Sequence, residues 1–183
     1  TVIHKHIPGI EPGGRTEGAM MSLLRAVADT ETNPSLTEEE RSAQTSPRGA
    51  EGMFQFMPDQ ATLDIQEIWP EFDPHNPHHA AEGAMMYFDL LAGKFGPEFT
   101  IHDIDSMLAG YNYGAGALRA EERKFAQGSG DETWLPEETR NYITDIKKRL
   151  GPENIKIING WIQRRQRRSS SRRGREMVEV TGN

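Results

Sequence analysis

Glu31 stands where an apolar helical stripe runs out, and a carboxylate in that position invites proton-transfer chemistry. Met20, Leu23, Leu24, Val27 and Ala28 recur at the i, i+3, i+4, i+7, i+8 spacing of one helix face. Glu31 lies eleven residues after Met20 and falls about 20° from it on a helix of 3.6 residues per turn. Burial disfavours the charged form of a carboxyl and raises its pKa, so such a group holds a proton near neutral pH and gives it to a leaving oxygen. Periodicity alone equally allows an exposed glutamate at the helix end, with Thr32-Asn33-Pro34 terminating the turn. Asp29 projects to nearly the opposite face and is expected to be solvated.

A second group of candidates is DPHNPHH, which brings His75, His78 and His79 together. A metal site needs convergent ligands and a supporting outer shell, and a proline-rich turn before a helix supplies neither, so no metal is expected. Cysteine is absent, which excludes disulfides and thiolate chemistry.

The elements that must hold Glu31 read as helices throughout, with no alternating strand pattern. Thr37 with Glu40 has the spacing of a capping box and opens a short polar helix. Asn76-Pro77 reads as an N-cap followed by proline at the first helical position. That helix carries apolar Ala80, Ala81, Ala84, Phe88, Leu91 and Phe95 and is expected to close at Gly96. Another begins near Thr100, and the last spans 136–150 before Gly151, with Tyr142, Ile143, Ile146 and Leu150 facing inward. The expected fold is all-α: an irregular segment over 1–17, one helical domain over 18–151, and a C-terminal extension over 152–183.

A chain of 183 residues with 35% hydrophobic content suffices for one domain with a core. It shows no membrane-spanning apolar run and no signal-peptide pattern. It begins without Met on TVIHKHIPGIEPGGRTEG, as expected of a processed product or a piece of a larger protein. Charge is divided: residues 1–163 hold 14 Lys+Arg against 26 Asp+Glu, and residues 164–183 hold 7 Arg against 2 Glu. The run QRRQRRSSSRRGR is too polar to bury and is expected to form a disordered arm. Its functional alternative is electrostatic contact with nucleic acid, anionic lipid or an acidic wall polymer, although no aromatic is interleaved for base stacking.

Three further segments accompany the glutamate: SPRGAEGMFQFMP at 46–58, GYNYGAG at 110–116 and ETRNY at 138–142. Together with AVADTETNPS at 26–35 they resemble, in order, the four motifs of the soluble, lysozyme-like lytic transglycosylases. The resemblance spans about residues 18–150. It implies a compact lysozyme-like fold and cleavage of the bond between N-acetylmuramic acid and N-acetylglucosamine, with closure of a 1,6-anhydro ring. It gives Glu31 the role of sole acid and base, without a cofactor. Ser46 and Gln55 would lie near it as hydrogen-bonding groups, Met57 would supply an apolar wall, Tyr111 and Asn112 would line the cleft floor, and Tyr142 would approach the carboxyl from the last helix. Of Met53, Phe54, Phe56 and Met57, at least two are expected to be core.

The departures alter shape rather than chemistry. Thr32 stands where the family has Ser, Gly110 replaces Ala, and Phe54 and Phe56 replace smaller side chains. Fifteen positions separate Glu31 from Ser46, so the polar stretch LTEEERSAQ reads as an insertion at the cleft rim. The same residues with water as acceptor would give a hydrolytic, goose-type lysozyme, which needs Asp29 or a glutamate of 38–40 to position that water. A non-catalytic wall-binding or virion module is the third reading. Implied partners are peptidoglycan strands and a larger virion or secretion assembly, with action in the periplasm or at the cell wall.

Overall fold

The computed structural model describes residues 7, 10–95, 99, 101–125 and 134–181, with side chains except at 124, 125 and 172–181. Among these residues the chain is helical, with α1 at Arg15–Glu31, α2 at Glu38–Ser42, α3 at Ala61–Gln66, α4 at Pro77–Lys94, α5 at Asp103–Ala109, a π-helical turn at Gly110–Gly114, α6 at Ala115–Phe125 and α7 at Glu137–Thr181. Extended pairing is limited, among the described residues, to two isolated bridges, Thr45 with Glu51 and Glu51 with Phe56. No described helix is long and apolar enough to cross a membrane.

α4 forms the centre because its apolar residues surround it: Ala80, Ala84, Met85, Phe88 and Leu91 are all buried. Asn76 caps it by accepting from the backbone N–H groups of His78 and His79 at 3.0 and 3.3 Å, and Pro77 occupies the first turn. The helix ends at Lys94 with Phe95 as its cap; Gly96 and Thr100 lie outside the described residues, and α5 starts at Asp103. Around α4 pack α1, α5 and α7, and α1 lies along α7. The α1 stripe faces this core, with Leu23 and Val27 fully buried.

The first part of the C-terminal extension packs on the domain. Gly151 breaks α7 with φ 72° and ψ 164°, and Pro152, which needs no N–H partner in a first turn, restarts it. Ile158, Trp161 and Ile162 then return to the core, each at most 1% exposed. The backbone of α7 is helical up to Thr181. Arg165 is tied to Asp89 of α4 at 2.7 Å, and Gln166 donates to the Phe95 carbonyl at 2.5 Å. Most of the first nine residues lie outside the described set, though Ile7 and Ile10 are buried in the core.

The inserted stretch folds back. Thr37 and Glu40 form a complete capping box for α2, and α2 packs against α4. Arg41 on α2 donates through Nε to Thr32 at 2.8 Å and through Nη2 to Asp29 at 3.1 Å. Asp29 is therefore a half-buried ion-pair partner rather than a solvated carboxylate. The histidines are engaged separately: His75 Nδ1 lies 2.8 Å from the Ser42 carbonyl, and the His79 ring packs on Trp69 with centroids 4.5 Å apart.

Candidate active site

Glu31 is the last residue of α1 and half-buried. Its helix stops because Thr32 turns to extended backbone, with its N–H and Oγ1 both directed at the Ala28 carbonyl at 3.0 Å. Desolvation raises the Glu31 pKa from 4.5 to about 7; the Tyr142 hydroxyl lowers it and the negative charge of Glu138 raises it again. The helix C-terminus adds in the same direction as burial, since its unpaired carbonyls disfavour an anion. Tyr142 comes from α7 and is 7% exposed. Its hydroxyl meets no partner at strict hydrogen-bond geometry among the described residues, yet it faces the Glu31 carboxyl closely enough to stabilise the ionised form. Glu138 lies one turn before Tyr142, so i, i+4 geometry sets both on the same side of α7.

Tyr111 connects this acid to the cleft. Its hydroxyl donates to the Phe54 carbonyl at 2.7 Å, and its ring stacks on Phe88 with centroids 5.0 Å apart. Burial and then the Glu31 charge push its own pKa well above the usual tyrosine range, so it stays neutral. Tyr111 and Asn112 belong to the π-helical turn, a local widening of helical geometry common at functional sites. Asn112 accepts a hydrogen bond from Thr139 Oγ1 at 2.8 Å through Oδ1, which leaves its amide N–H groups for the cleft.

The segment 46–58 forms the opposite wall as tight turns. Phe54 and Phe56 are core residues, 2% and 1% exposed, while Met53 and Met57 are half-buried. Gln55 takes φ 50°, a left-handed value uncommon for a side-chain-bearing residue, and its amide donates to the Gly52 carbonyl at 2.8 Å. Gly52 itself has φ 72°, and a Cβ there would fall 2.0 Å from the Pro74 carbonyl oxygen. The Ser46 hydroxyl accepts from the Ala50 N–H at 3.0 Å, so it stabilises the turn.

Gln55, Met57, Tyr111 and Asn112 thus come together on a cleft of about 220 Å³, which Arg48, Gln60, Tyr87 and Tyr113 also line. Glu31 and Tyr142 meet beside Tyr111. A larger hollow of about 850 Å³ between the start of α5 and the later part of α7 contains none of the motif residues. Sequence reasoning missed Thr139, Glu138 and Arg48. The first two had a usable signal, because both precede Tyr142 at helical spacing; Arg48 had none beyond its place in the turn.

A family model for the transglycosylase SLT domain matches residues 10–133. Among curated proteins and among solved structures, nothing matches the chain. The family match covers more than half of the sequence and includes α1, the 46–58 turns and the π-helical turn. The chain belongs to the transglycosylase SLT domain family, a family of lytic transglycosylases acting on peptidoglycan.

Proposed function

We propose that this domain cleaves the link between N-acetylmuramic acid and N-acetylglucosamine with Glu31 as its only acid and base. The observation that carries this is a carboxyl held at a pKa of about 7 beside the cleft. About half of such groups carry a proton at neutral pH, and the same group is a usable base once ionised.

In the first half-reaction, Glu31 donates its proton to the bridging oxygen as the bond from that oxygen to muramoyl C1 breaks. The acetamido oxygen of the same sugar closes on C1 and carries the developing positive charge, as in substrate-assisted glycosidases. In the second, ionised Glu31 takes the proton of the C6 hydroxyl, O6 attacks C1, and the acetamide is released. Glu31 ends protonated, and no water is consumed. The Tyr142 hydroxyl favours the ionised carboxylate between the two halves, which supports assigning it to this role. The amides of Gln55 and Asn112 are the groups suited to orient the acetamide, Met57 is the apolar wall, and Tyr111 is the floor. Ser46 acts by shaping the turn. Positioned acid–base catalysis contributes about 10² to 10⁴ fold, and orientation supplies much of the rest.

A hydrolytic outcome would require a second group to aim water at C1. Asp29, the nearest carboxylate in sequence, is held by Arg41 at 3.1 Å, which favours the anhydro product. We further place the reaction at the cell wall, with the domain carried in a larger virion or secretion assembly through its arginine-rich end. Digestion of peptidoglycan in water enriched in heavy oxygen tests the central step. Products without label support ring closure; label at C1 of the muramoyl end would make the protein a lysozyme.

A further inference from the structure

Arg48 has no counter-ion among the described residues. It is exposed, and no ion pair or hydrogen bond joins it to another described residue. Several described cations lie in ion pairs, among them Arg41 with Asp29, Lys94 with Asp64, Lys147 with Asp105 and Arg165 with Asp89, whereas Arg48 is the cation that lines the cleft. In a chain of net charge −7, what sets Arg48 apart from the other unpaired cations is its place on the lining of the cleft.

Its position is also fixed. Gly49 N–H donates to the Ser46 carbonyl at 2.9 Å, and Ser46 N–H donates to the Ala50 carbonyl at 2.8 Å. Ala50 N–H donates to Ser46 Oγ at 3.0 Å, and Gly49 takes φ 85°. This is the pattern of a type I turn closed by a left-handed glycine, with Pro47 and Arg48 as its central residues and the proline ring fixing φ at the first of them. The backbone under Arg48 is therefore held still. The neighbouring cleft groups Gln55, Gln60 and Asn112 are neutral amides, so the rim offers one positive charge and no compensating carboxylate among the residues lining it.

A guanidinium presented in this way is suited to a carboxylate, which it grips with two parallel N–H donors. The sugars of a glycan strand are uncharged. Its carboxylates are the lactyl group of a muramoyl residue that has lost its peptide, and the free carboxylates of the peptide stem. We propose that Arg48 is a specificity-determining residue that binds a carboxylate carried by the glycan strand in the cleft. The proposal rests on the glycan-cleaving reading of the same cleft.

The test measures binding of Glu31→Gln and of Glu31→Gln/Arg48→Gln to three forms of purified glycan strand: stem-bearing, stem-removed, and stem-bearing with every carboxylate converted to an amide. Glu31→Gln should bind at least one charged form about tenfold more tightly than the amidated form, and Arg48→Gln should erase that preference. Arg48→Lys should restore part of it, since it keeps the charge but loses the fork. Preference for stem-bearing strands assigns the peptide carboxylate, and preference for stem-removed strands assigns the lactyl group. Equal weakening on all three forms, no effect of Arg48→Gln, or no binding to charged strands would overturn the proposal. Cleavage by the wild-type chain is read in parallel. Release of muropeptides with no carboxylate preference defeats only the Arg48 assignment, whereas no release from any form defeats the glycan-cleaving reading.

Discussion

Thr139 donates its hydroxyl proton to Asn112 Oδ1 at 2.8 Å, a bond that joins the first turn of α7 to the π-helical turn. Thr139 is 2% exposed, so water does not compete for that bond. Thr139→Val keeps the shape and deletes the donor. It should cost about 1 kcal/mol of stability, as for an average hydrogen bond. The freed Asn112 amide is then able to turn over, and kcat/KM should fall about tenfold, one misplaced charge-free contact being worth about 1.4 kcal/mol. Thr139→Ser should recover most of the activity. A variant that loses melting temperature with unchanged kcat/KM would make the bond purely structural.

The pH profile should follow Glu31. With its pKa near 7, the acid form is present below that value and lost above it, so kcat/KM should fall as pH rises through about 7. The Glu138 charge raises that pKa, so Glu138→Gln should move the falling limb to lower pH. A limb that stays in place would remove Glu138 from the electrostatics of the site.

The same carboxyl limits stability. A group whose pKa is raised on folding binds more protons in the folded state, so its effect is absent below the unfolded value of 4.5 and destabilising above about 7. At 1.36 kcal/mol per pH unit, the full cost is about 3 kcal/mol. Glu31→Gln should therefore melt higher than wild type at pH 8 and close to it at pH 4, as expected where function holds a charge in an apolar place. Thermal melts of both proteins at the two pH values check this.

Gly52→Ala tests the turn that holds Gln55. The left-handed φ of 72° disfavours any side chain, and Pro74 O leaves no room for a Cβ. The substitution should destabilise by about 2–4 kcal/mol and lower activity by disturbing the Gln55 amide, which donates to the Gly52 carbonyl. Denaturant unfolding of the variant measures the first effect.

Local patterns were readable and distant pairings were not. The α1 stripe, the Thr37–Glu40 box and the Asn76-Pro77 start are signals within one or two helical turns, and each appears where the residues imply it. The four motifs likewise pointed to the family whose model matches residues 10–133. Ile158, Trp161 and Ile162 escaped because Gly151-Pro152 reads as a stop and the arginines that follow dominate the composition. The Arg41 bonds to Asp29 and Thr32 depend on how an insertion folds back, and the Thr139–Asn112 bond joins residues 27 apart. Neither has a period or a cap to announce it.

Mass spectrometry of the products released from purified peptidoglycan, by the wild-type chain and by Glu31→Gln, tests the central claim most directly. The account predicts muropeptides lighter by one water than hydrolytic products with wild type, and none with the variant. Ordinary reducing ends from wild type, or undiminished release by Glu31→Gln, would contradict it.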